Sequence, residues 1–247
     1  MSHKVVSLPV VLVSALLFTG LAADAQNAGA DGEFYASSRR PLSDVLKAIS
    51  AKYGWVISYE DPRYSHVDDI EDVTPPGRSR PALVPRGGAF RYSAPTGDVT
   101  GLALLSNVLQ AYETHGFAGR FEARQVADGV FSIVPVAIRD ATGAWEDQTP
   151  VMDTPIALSK PEGSAMALIQ ELVESVSSKS GYGIIVGTIP INALQATNVH
   201  LENTSGRAST ILRQILAQVS TTKPLTWRMY YEPTPGRFQG YGLNIGV

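Results

Sequence analysis

Hydrophobic positions along this chain change period several times, and the changes mark out a regular series of elements. Ile169, Leu172, Val173 and Val176 recur at the three- and four-residue spacing of a helix face. A Ser-Gly-Tyr-Gly turn follows, and Ile184-Ile185-Val186 then reads as a strand that stops before Pro190. Leu42, Val45, Leu46 and Ile49 show the same spacing earlier, followed by Lys52-Tyr53-Gly54 and a strand over 55–59 that stops before Pro62. Further along, Phe90 and Tyr92 alternate as in a strand, and Leu104, Leu105, Val108, Leu109 and Tyr112 form a second helical face. Extended runs at 121–124 and 130–136 flank an Asp128-Gly129 turn, which is a hairpin signal. The counterparts in the second half are a face of Ile211, Leu212, Ile215, Leu216 and Val219 and strands over 225–231 and 241–245.

Leu42 aligns with Ile169 and Ile49 with Val176, whereas Leu104 aligns with Ile211 and Tyr112 with Val219. The first half therefore holds extra residues between its helices. The pattern predicts an α+β fold of two small β-α-β-β-α-β-β units, each with two helices on a small mixed sheet, because faces of this width need a sheet to cover. The units span 33–138, with an inserted loop at about 65–88, and 153–247; residues 139–152 read as a linker. Amphipathic helices that resemble one another by chance within one fold are the competing reading.

The N-terminus carries a different pattern. Lys4 precedes an almost wholly apolar run over 5–21, and Ala23-Asp24-Ala25 has the small-x-small form of a cleavage site. Residues 1–25 thus read as a signal peptide cut after Ala25, with 26–32 a flexible linker. An uncleaved anchor is the alternative, but Pro9 interrupts the run and a bilayer needs about 20 apolar residues. The chain contains no cysteine, which excludes disulfides and thiolate metal sites and suits a bacterial periplasm. Hydrophobic content of 44%, charged content of 17% and a net charge of −3 are those of a globular protein without the basic surface that nucleic acid requires.

The run Pro41-Leu42-Ser43-Asp44-Val45-Leu46-Lys47-Ala48-Ile49, followed by Tyr53-Gly54-Trp55-Val56-Ile57-Ser58-Tyr59, resembles the short N-terminal domain shared by secretins and TonB-dependent receptors. The second half is similar to a diverged copy, with Val199-His200-Leu201-Glu202-Asn203 before the Ala208, Ile211, Leu212, Ile215, Leu216 helix, and Leu225-Thr226-Trp227-Arg228 after it. The resemblance implies a pair of helices on a small mixed sheet, a periplasmic location, and contacts with an envelope protein such as a secretin or a TonB-dependent receptor. No barrel or pore pattern follows Val247, so a free-standing version is expected.

Signals for chemistry are sparse. Beyond the leader, histidines stand at 66, 115 and 200 without metal-ligand spacing, and no Gly-x-Ser-x-Gly elbow occurs. No catalytic residue, metal or cofactor is expected. Asp68, Asp69, Glu71 and Asp72 lack calcium-loop spacing and read as a solvated loop. The candidate binding residues are Trp227, Arg228, Tyr230, Tyr231, Arg237 and Tyr241 in the C-terminal hairpin, types enriched where proteins meet partners. Alternation places Trp227, Met229 and Tyr231 on one face and Arg228 and Tyr230 on the other, so one face is core. The expected function is that of an exported, non-enzymatic interaction module; a periplasmic binder of a small ligand or cell-wall glycan, using this hairpin and the cleft between units, is the alternative.

Overall fold

The computed structural model describes residues 32–97, 99–234 and 240–247. The leader, most of the linker expected at 26–32, and Arg237 lie outside the described residues. In the first half β1 (Glu33–Ser38) leads into α1 (Pro41–Tyr53), which has Pro41 in its first turn, where a missing N–H costs nothing. Leu42, Val45, Leu46 and Ile49 face inward, and Gly54 ends the helix at φ 70, a left-handed conformation open to glycine. Then come β2 (Val56–Glu60), β3 (Ile70–Asp72), β4 (Leu83–Pro85), β5 (Gly88–Ser93), α2 (Gly101–Thr114), β6 (Arg120–Ala127), β7 (Val130–Arg139) and β8 (Trp145–Asp147).

The second half runs β9 (Pro155–Ala157), β10 (Glu162–Ser164), α3 (Ala165–Ser180), β11 (Gly183–Val186), α4 (Ile191–Ala196), β12 (Asn198–His200), β13 (Ser205–Arg207), α5 (Ala208–Ala217), β14 (Thr226–Glu232) and β15 (Gly240–Gly246). Ser164 caps α3, its Oγ accepting from the Ala167 amide at 3.2 Å. Ser164→Ala should therefore lower stability by about 1 kcal/mol; a urea unfolding midpoint unchanged from wild type would show that water caps the helix equally well. Among the described residues no helix is long and apolar enough to cross a membrane.

The class is α+β, as expected, but the sheets are not divided between the halves. β2 pairs parallel with β7, and β6 antiparallel with β7; likewise β11 pairs parallel with β15, and β14 antiparallel with β15. The two triplets join through a parallel β14–β2 pairing, giving the order β11-β15-β14-β2-β7-β6. One core, around α1 and α2, includes Ile57, Tyr59, Phe131 and Ile133; the other, around α3 and α5, includes Trp227, Met229, Leu243 and Ile245. Arg228 stands opposite Tyr59 and Met229 opposite Glu60, so strand alternation puts the two cores on opposite faces of the shared sheet.

Two segments read as irregular carry structure. The inserted stretch holds the β3–β4 hairpin, and Thr234 pins β4 by bonding both the amide and the carbonyl of Leu83. Asp69 is not solvated: it is buried and ion-paired with Arg139. The expected linker contributes β8, paired to β7, and buries Val151 and Met152 in a short turn that docks on β2. Its apolar residues are few, which left the linker without a detectable period.

Candidate functional site

β14 carries most of the hairpin residues singled out from sequence, and it is the strand that joins the halves. Trp227, Arg228, Tyr231 and Tyr241 are buried, and Tyr230 is half-buried. They do not form the exposed binding face that their composition suggests. Trp227, Met229 and Tyr231 enter the second core as alternation requires, and on the opposite face Arg228 and Tyr230 meet Ser43 of α1 in the first half. Arg228 Nη1 lies 3.4 Å from the Ser43 carbonyl, and the Tyr230 hydroxyl is 2.9 Å from Ser43 Oγ. Arg237, outside the described residues, is the remaining member of the set.

The joint is held by charged residues that composition did not single out. Arg40 Nε donates to Asp61 Oδ2 at 2.6 Å, and its Nη2 donates to the Tyr231 carbonyl at 2.8 Å. The same Asp61 oxygen accepts the Tyr231 amide at 3.0 Å, while the guanidinium lies 4.7 Å from the centre of the Tyr230 ring. One ion pair thus ties the loop before α1, the end of β2 and strand β14. Burial lowers the Arg40 pKa, yet Asp61 and further neighbours outweigh it and hold the guanidinium above its ordinary range. Burial, then the Asp61 charge, drives the Tyr59 and Tyr64 phenols well above theirs.

Glu60, next in the chain, points to the other face. Its Oε1 accepts the Val151 amide at 2.6 Å and its Oε2 the Met152 amide at 3.0 Å. Burial pushes its pKa up to about 8 against the pull of those two amides, with the Asp153 and Asp61 charges adding to the rise. Chemically this is a clamp: both Glu60 oxygens are held by backbone amides and Asp61 Oδ2 by Arg40 and the Tyr231 amide, while Asp61 Oδ1 is buried without a hydrogen-bond partner among the described residues.

What remains accessible is the ends of the sheet. At β11 the Gly187 amide donates inward to Leu243, so the Ile184 and Val186 amides point outward by alternation. Ser177 Oγ accepts the first at 3.1 Å, while Thr188, beyond the end of β11, turns back to Asn244 Oδ1 on β15 at 2.9 Å. β6, eight residues long, ends the path at the other side with no strand on its outer edge among the described residues. Gln125, Val126 and Ala127 at its end are exposed, and the register shift between Gln125 and Ala127 bulges the strand there. Comparison with protein-family models, with curated proteins and with solved structures returned no match.

Proposed function

We propose that this chain is an exported, non-enzymatic interaction module that contacts a protein of the cell envelope by adding a strand of the partner to the edge of β6. The observation that carries the reading is the outer edge of an eight-residue strand that no other strand pairs among the described residues, at the end of a sheet whose other edge strand is only four residues long. Such an edge offers a row of amides and carbonyls to an extended segment. The leader pattern supports export to the periplasm, and the resemblance of 41–59 to the short domain of secretins and TonB-dependent receptors supports a partner of that kind. That the halves are diverged copies belongs to the same proposal, supported by the repeated parallel and antiparallel strand triplets.

A photo-crosslinking amino acid at Gln125 tests this against one at Glu174, an exposed position on α3. In cells, an adduct with one envelope protein is expected from Gln125 and not from Glu174. No adduct from Gln125, or the same adduct from both positions, would remove β6 as the docking edge.

A further inference from the structure

Because the two cores sit on opposite faces of one sheet, the back of β2, β7 and β6 is covered by neither α1 nor α2. On that face the strand register lines up Ser58, Ser132 and Arg124 in one row across three strands. Helix α5 stands over the row and brings Arg213, with Thr210 one turn before it, while Arg207 precedes the helix. Together they line an open cleft with an interior of about 80 Å³.

The charges of this cleft do not balance. Asp153 is its only carboxylate among the described lining residues, and that group is held at 2.6 Å by Arg124, which also pairs with Glu122. Arg207 and Arg213 have no carboxylate within ion-pair distance among the described residues. Two arginines without a carboxylate partner thus line a cleft to which serine and threonine residues also contribute. Planar guanidinium forks match carboxylate and phosphate oxygens in paired hydrogen bonds, and they do so more strongly where walls exclude water. The apolar edges of Val126 and Leu216 leave room for a short carbon skeleton beside the charge.

We infer that this cleft is a binding site for a small dianion, a compound bearing two carboxylates or a phosphate group, held by Arg207 at the end of β13, by Arg213 of α5 and by the Ser58–Ser132 row from the sheet. The site lies on the face of the sheet and shares Arg124 and Val126 with β6, so its occupancy is to be measured on the isolated chain without a protein partner.

Titration calorimetry of the full chain at fixed ionic strength, with succinate and inorganic phosphate as probes, tests the inference. Saturable binding of one or both is expected, weakened at least about tenfold by R207Q/R213Q and unchanged by R78Q/R80Q, which removes two exposed arginines elsewhere. A response to succinate alone or to phosphate alone assigns the group recognised. Amide chemical shifts in the wild-type protein provide a check independent of variant folding, since Ser132 and Thr210 should move on titration. No saturable binding of either probe at millimolar concentration, equal affinity in R207Q/R213Q, or shifts confined to other regions would overturn the site.

Discussion

Replacing Arg40 by methionine is expected to destabilise the chain by about 3–5 kcal/mol, the cost of leaving a buried carboxylate without its partner. Asp61 is fully buried, and with its Oδ1 already without a hydrogen-bond partner, removing the guanidinium leaves the Tyr231 amide to hold the charge. Methionine keeps the apolar stem of the side chain and isolates the lost charge from lost packing. Adding Asp61→Asn to Arg40→Met should recover part of the loss, because asparagine still accepts the Tyr231 amide and carries no charge. Urea unfolding at pH 7 measures both, with equal slopes required for the comparison. A single-variant loss under about 1 kcal/mol, the range of exposed ion pairs, would mean that water reaches Asp61 and that the joint is looser than its geometry.

The joint shows where sequence reasoning ends. Helical faces were legible because a 3.6-residue period is written in local order: Leu42, Val45, Leu46 and Ile49 are buried, as are Ile211, Leu212, Ile215 and Leu216. Glycine turns were legible for the same reason, and Gly54 and Gly181 both adopt positive φ at helix ends. Burial of Arg228 was not legible, since its cover is Ser43, 185 positions away. Glu60 and Asp61 carry no local signal of burial, because acids after a strand are equally common in solvated turns. Their one local mark is position: two acids directly follow an apolar strand and precede Pro62, with an arginine just ahead of Pro41 at the start of the helix before it. The short strands β8, β10 and β13 escaped because three residues carry no measurable period. The cleft beside α5 escaped because strand register brings Ser58, Ser132 and Arg124 together, and register is set by pairing across the fold.

Stability should fall as pH rises from about 4.5 to about 8, and Glu60 should be a principal cause. In the folded chain burial holds its pKa at about 8, against an ordinary value of 4.5 for the unfolded chain. Between these values the native state keeps the proton and the unfolded state does not. The favourable contribution is therefore complete below about 4.5 and lost as pH passes through about 8, a total on the order of 5 kcal/mol. Asp61, raised by burial against the opposing pull of Arg40, acts in the same direction, and the Tyr241 phenol, raised by burial and by the charge of Glu60, stays neutral throughout. Glu60→Gln removes one titrating group and leaves Asp61 in place, so the variant should lose most of the slope of unfolding free energy between pH 5 and 8 but not all of it. Its deficit relative to wild type should shrink toward pH 8, where the wild-type protein begins to bury a charge held by the Val151 and Met152 amides. Urea unfolding at half-unit pH steps reads this directly. Parallel wild-type and variant curves would show that Glu60 is ionised across the whole range, and that those two amides outweigh the cost of its burial.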